Sequence, residues 1–180
     1  MDRKVLTWTI AGALFTILFG AFLHFAFELS GGFAPVALIA AVNESTWEHL
    51  KLAFWPALIF SLIELKFLSK SVNNFAVAKT VSLYVMPVAI IVMFYGYTML
   101  LEDSFIADIL IFMISVVIGY IVSYKLLTAK KFPESWKKYT LIALAVIILM
   151  FSLLTYFAPQ FFLFQDPVSG GYGIIQWAPD

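Results

Sequence analysis

The chain has 180 residues, 63% of them apolar and only 12% charged, against a usual 45–50% or so apolar and about 25% charged. So little charge cannot clothe a water-soluble surface. The zero formal net charge leaves no basic excess to bind nucleic acid, and the absence of cysteine excludes disulfides, thiolate metal sites and a cysteine nucleophile. The aromatic complement of 19 Phe, 8 Tyr and 5 Trp suits a surface of lipid and lipid–water interface.

A helix needs about 20 apolar residues to cross a bilayer. The first such run covers about 5–29; its flank Asp2-Arg3-Lys4 is like a signal-peptide n-region, but the run is too long and lacks a small-x-small cleavage site, so it reads as an uncleaved helix. Ser30-Gly31-Gly32 ends it and Pro35 follows. The apolar piece Val36–Val42 is too short to span and reads as interfacial or re-entrant before the polar cluster Asn43-Glu44-Ser45-Thr46. Ser45-x-x-Glu48 has the form of a capping box opening a second span over 45–68, with Pro56 as a kink. Further spans read at about 75–101 (with Pro87 inside), 105–127 and 139–157, and residues 158–180 form an aromatic, Pro- and Gly-rich tail. The expected fold is an all-α integral membrane protein with five transmembrane helices.

Every basic residue except Lys51 falls at one side of this five-span arrangement: Arg3, Lys4, Lys66, Lys70, Lys79, Lys125, Lys130, Lys131, Lys137 and Lys138. The loop between spans three and four carries Glu102 and Asp103 and no base. The positive-inside rule then puts the N-terminus in the cytoplasm and the tail outside the plasma membrane.

Ionisable groups within a bilayer are costly and need a partner or a purpose. His24, Glu28, Glu44, Glu48, His49 and Lys51 all lie towards the outer ends of spans one and two, while Glu64 lies near the cytoplasmic end beside Lys66, where a structural or interfacial role is expected. Counting residues puts each histidine roughly 6–8 Å below the outer surface, so antiparallel neighbours bring them level. His24 and Glu28 share a helix face, as do Ser45 and His49. Without thiols, two imidazoles and a carboxylate suit a divalent metal such as zinc or iron. The expected ligands are His24, His49 and Glu28, with Glu48, Glu28 and Lys51 as catalytic candidates. Asn43, Glu44, Ser45, Asp166 and Tyr172 would line the site or form a lid, the last two through a folded-back tail. Plainer roles stand beside these: Glu48 and Ser45 as helix caps, Glu44 solvated, Lys51 snorkelling or paired with Glu48 or Glu28, and each histidine as an interhelical donor. Ser45 one turn from His49 also permits a nucleophile–base pair.

The run Ala41-Val42-Asn43-Glu44-Ser45-Thr46-Trp47-Glu48-His49-Leu50-Lys51 resembles the AVNES-x-WEH-x-K motif of a family of small prokaryotic multi-pass membrane proteins known only as a domain of unknown function. Leu23-His24-Phe25-Ala26-Phe27-Glu28 is similar to its LH-x-x-(Y/F)-E segment, and Leu163–Gly173 to its LF-x-DP-x-(S/T)-G-x-YG tail. The resemblance covers nearly the whole chain and implies membership without an activity. The expected function is a metal-dependent hydrolase or transferase acting on a lipid or other amphipathic substrate. The alternatives are a proton- or cation-coupled transporter or channel, for which a homodimer would supply the missing symmetry, and a non-catalytic module binding lipid or a partner.

Overall fold

Asp2 opens the first helix: its carboxylate accepts the backbone N–H groups of Lys4 and Val5 at 3.0 and 3.3 Å, satisfying donors that a helix start leaves unpaired. In the computed structural model, which describes residues 2–174, this helix is α1 (Arg3–Leu29). Four more follow: α2 (Thr46–Leu68), α3 (Phe75–Thr98), α4 (Phe105–Leu127) and α5 (Ser135–Leu153). Among the described residues there is no strand beyond the isolated bridge Gln165–Tyr172. Gly31 and Gly32, at φ of 69° and 73°, turn the chain out of α1, a backbone region that other residues enter at a cost.

The segment expected to be interfacial or re-entrant is a 3-10 turn, Ala34–Leu38, beside α1 and α5, followed by a non-helical stretch to Ser45. The third span ends at Thr98 rather than about 101, and the last begins at Ser135 and ends at Leu153 rather than 139–157. The tail adds a second 3-10 turn, Phe162–Phe164, whose Phe164 ring stacks on Trp47 at 4.5 Å. Residues 175–180 of the expected tail lie outside the described residues.

Helices α1, α3, α4 and α5 are each long and apolar enough to cross a membrane. Helix α2 is not among them, because Thr46, Glu48, His49 and Lys51 make its first two turns polar and Glu64 and Lys66 charge its other end. It is also the most enclosed: 15 of its 23 residues are buried, with α1 and α3 packed along it and Phe54 against Phe151 of α5 at 4.7 Å. The other helices expose apolar side chains such as Leu18, Val92, Ile106 and Leu149. A polar helix inside an apolar sheath is an inverted arrangement suited to lipid on the outside.

Both ends of the bundle are tied by contacts. At one end α1 finishes, α2 starts, and Thr46 and Tyr95 of α3 hydrogen-bond at 3.1 Å; Glu28, Glu44, Glu102, Asp103 and Asp166 belong to this acidic end. At the opposite, basic end the Lys4 ammonium donates to Phe67 O at 2.8 Å, and Asn74 donates to the carbonyls of Leu126 and Lys130, each at 3.0 Å.

Candidate metal centre

Proline at position 56 has no N–H, so the carbonyl of Leu52, one turn earlier, loses its helical partner. Helix α1 passes against that carbonyl at Gly20, where an added Cβ would stand 2.5 Å from Leu52 O and 2.7 Å from the Phe112 ring. Only glycine allows the two backbones to come so close. His24 lies one turn beyond Gly20, and His49 just before Leu52. The close crossing therefore puts the imidazoles side by side, ring centroids 5.1 Å apart. The equal depth read from the sequence is realised.

Glu44 arrives from the stretch before α2. The Asn43 side chain donates to Gly173 O at 2.8 Å, and its oxygen accepts Ser45 N at 2.8 Å. Asp166 accepts the N–H of Glu44 at 3.3 Å while also holding Val168 N, Ser169 N and the Ser169 hydroxyl. The tail thus folds back and fixes the backbone from which Glu44 projects. Its carboxylate bridges the histidines, with Oε2 3.4 Å from His49 Nε2 and Oε1 4.0 Å from His24 Nε2. Each of the three residues offers one ligand atom within 4.8 Å of the others.

The His49 ring is oriented by its other nitrogen, Nδ1, 2.9 Å from the Ser45 carbonyl. A carbonyl can only accept, so Nδ1 carries the hydrogen. In the neutral ring Nε2 then keeps its lone pair, aimed at Glu44, an arrangement metal-binding histidines commonly use. When the ring is protonated, Nε2 also carries a hydrogen and donates it to Glu44; this hydrogen bond holds the Glu44 carboxyl below its ordinary pKa, reinforced by the charges of both histidines and opposed by partial burial and by Asp166. At Asp166 burial works against ionisation, but the hydrogen bonds from Ser169, Val168 and Glu44 outweigh it and its pKa is lowered too. The Glu44 side chain is 52% exposed, so the cluster opens outward.

One residue away the chemistry closes up. Lys51 Nζ contacts Glu48 Oε2 at 2.5 Å and donates to Ala37 O and Thr155 Oγ1, each at 2.8 Å. Thr155 donates in turn to Glu48 Oε1 at 2.9 Å, and Val42 N to Glu48 Oε2 at 3.2 Å. All three ammonium hydrogens have acceptors, and Glu48 and Lys51 are buried. Glu48 therefore departs from the expected capping box. Ser45 Oγ does accept Glu48 N at 3.4 Å, but the glutamate side chain bonds Lys51, Thr155 and Val42 instead of Ser45 N. The Ser45–His49 nucleophile–base pair is also absent, because His49 contacts the serine carbonyl and not its hydroxyl.

A further ion pair sits towards the basic end, Glu64 Oε2 to Lys79 Nζ at 2.6 Å, both side chains buried. Lys79 also lies 5.6 Å from the centre of the Tyr120 ring. Lys79 thus lies at the basic end, in α3, and neutralises a charge inside the bundle.

Of the expected ligands, His24 and His49 come together, and Glu44 rather than Glu28 is the carboxylate between them; Glu28 is exposed and belongs to no such cluster. Asn43, Ser45 and Asp166 surround the cluster as supports, and Tyr172 packs against the apolar core. Sequence reasoning missed Thr155, whose one visible signal was a hydroxyl at the end of the last span. It also missed Asp108, in the first turn of α4, close enough for its charge to act on His49.

The fold and this centre define a class: a chain whose described residues form five α-helices, four of them apolar and of membrane length, with an open His-Glu-His cluster at the acidic end. The chain belongs to a family of unknown function, DUF6512, whose model matches residues 2–174 and so takes in every part of the site. No curated protein and no solved structure matched the chain.

Proposed function

We propose that the protein spans the plasma membrane five times, N-terminus in the cytoplasm, and binds a divalent transition metal at its outer face through His24, Glu44 and His49. The observation that carries this reading is the convergence of three ligand atoms within 4.8 Å, one of them on a histidine already oriented by a backbone carbonyl. Two imidazoles and a carboxylate leave coordination positions open, as in catalytic rather than structural zinc sites. A metal held in this way supplies Lewis acidity and a nucleophilic water near neutral pH. The activity we assign is therefore a metal-dependent hydrolase or transferase. A lipid or other amphipathic substrate fits, because the His24 ring packs on Phe25, which is 55% exposed on the flank of α1. Glu48 and Lys51 are assigned to holding the fold, since their bonding capacity is already used.

A proton- or cation-relay is less well supported. Between Lys51 and Glu64, about 20 Å along α2, the buried side chains are apolar except Ser61, whose hydroxyl donates to Ala57 O, so α2 carries no titratable group between the two ionic sites. Proteoliposomes are expected to show no proton or cation flux above empty vesicles.

The deciding experiment is metal analysis of detergent-purified protein, stripped with chelator and then replenished. One zinc, iron or manganese per chain is expected, lost in His24→Ala and in His49→Ala. No stoichiometric metal in the replenished wild type would overturn the proposal.

A further inference from the structure

Away from the metal centre, a cavity of about 800 Å³ opens sideways between α3 and α5. Its walls are apolar along most of its length: Val77, Val81, Val88 and Val92 from α3, and Ala143 from α5. From Val77 to Val92 is fifteen helical steps, about 22 Å along a helix axis, against roughly 15 Å for the hydrocarbon of one leaflet. The groove is deep enough to take an acyl chain.

Its chemistry changes at the basic end, where Ser135 and Trp136 begin α5. Helix α5 has no side-chain cap there; the N–H groups of Trp136 and Lys137 turn onto Pro133 O and Glu134 O, each at 3.1 Å, so what this end offers an anion is the positive pole of the helix dipole. Lys130 and Lys131 precede this start, and Lys137 and Lys138 follow it. Asn74 pins the lysine-bearing turn to the base of α3, donating to Lys130 O at 3.0 Å and accepting Phe132 N at 2.9 Å. The one acid among them, Glu134, reaches Lys131 and Lys137 at 3.8 and 4.0 Å. Lys130 and Lys138 have no carboxylate partner among the described residues. An apolar slot whose basic end is flanked by exposed lysines, none of them in its wall, complements a molecule with one acyl tail alongside and an anionic head.

We infer that the α3–α5 groove holds an anionic phospholipid of the cytoplasmic leaflet, its acyl chain along α3 and its phosphate over the start of α5 and the four lysines. The choice of leaflet rests on the proposed orientation; the lipid's charge and the groove do not. Delipidated protein in mild detergent, titrated with phosphatidylglycerol or phosphatidylcholine and read by native mass spectrometry, tests it. One phosphatidylglycerol per chain is expected, preferred by about tenfold or more over phosphatidylcholine. The quadruple variant Lys130→Gln/Lys131→Gln/Lys137→Gln/Lys138→Gln should lose the preference. Val88→Trp, which fills the groove and leaves every charge in place, should lose retention. Equal retention of both lipids by wild type, or selective retention unaltered in Val88→Trp, would overturn the inference; so would cross-linking of two chains through this groove in place of lipid. Labelling of Glu102→Cys and Glu134→Cys in intact cells reads orientation independently, the chain having no native cysteine. A reversed orientation would overturn the leaflet while leaving the lipid result to stand or fall separately.

Discussion

Glu48 and His49 are adjacent on the first turn of α2, yet Glu48 turns inward to Lys51, Thr155 and Val42 while His49 turns to Glu44 and His24 at the open rim. Around Glu48 each charge meets an opposite charge and hydrogen bonds complete the remainder. Around His49 the groups are near one another but leave lone pairs unspent, and Glu44 is half exposed. A saturated buried network resists change and has nothing left to offer a ligand. An unsaturated cluster facing outward contributes little to folding and has coordination capacity to spare. Ionisable groups at the same depth of one bundle thus divide into scaffold and site according to whether their bonding is finished.

The strongest way to break this contrast is to remove one half of the closed network. Lys51→Met leaves Glu48 buried without its cation and should cost about 3–5 kcal/mol, seen as a large drop in thermal unfolding temperature in detergent. Glu48→Gln/Lys51→Met should recover much of that loss. A mild effect of the single substitution would mean that the network is not the scaffold. At the open cluster the ordering reverses: His49→Ala should weaken zinc binding by at least about a hundredfold while shifting stability by only about 1 kcal/mol or less. Calorimetric titration and unfolding of the same preparation measure both.

Smaller effects sharpen the comparison by leaving all three ligands in place. Gly20→Leu puts a side chain where Leu52 O and the Phe112 ring already lie. It should push α1 from α2, separate the histidines and lower zinc affinity by about tenfold or more in a chain that still inserts and folds. Asp166→Asn keeps the size of the group holding the Glu44 N–H but removes its charge, and a loss nearer tenfold is expected. Unchanged affinity in both would show that the ligands need neither the close crossing nor the tail. Acid should act last and most gently. Glu44 and Asp166 have folded pKa values below their unfolded ones. Their contribution is therefore complete above the ordinary carboxylate pKa of about 4 and fades as pH falls through the lower folded values. Zinc should leave earlier, since protons compete for imidazole nitrogens at a higher pH than for carboxylates. Following zinc release and tail protection from proteolysis across the same pH series distinguishes the two steps.

The helices were legible because runs of apolar residues long enough to cross a bilayer, the first closed by Ser30-Gly31-Gly32 and Pro35, leave few other readings. The depth match of His24 and His49 was legible too, since helical rise is constant and the helices are antiparallel neighbours. Glu44 was harder. On a helix extended backwards it shares a face with Glu48, but the chain stays extended at Ser45, and the tail contact through Asp166 sends Glu44 towards the histidines instead. No local pattern encodes that contact, which joins residues 122 positions apart. The pairing of Lys79 was hidden for a related reason: a lysine near a helix end suggests water, and its partner Glu64 lies on another helix. Thr155 carries no chemistry of its own to attract notice until Glu48 and Lys51 are seen on either side of it.

The ties from Asn43 to Gly173, Glu44 to Asp166 and Lys51 to Thr155 have a consequence for the order of assembly. The residues that would grip the metal are made early, on the first two helices, but the parts that brace them emerge from the ribosome more than a hundred residues later. A nascent chain halted before Thr155 would hold an ammonium missing one acceptor and a Glu44 backbone with nothing to steady it. The centre is completed at the end of synthesis, so cargo should load onto finished chains and not onto growing ones.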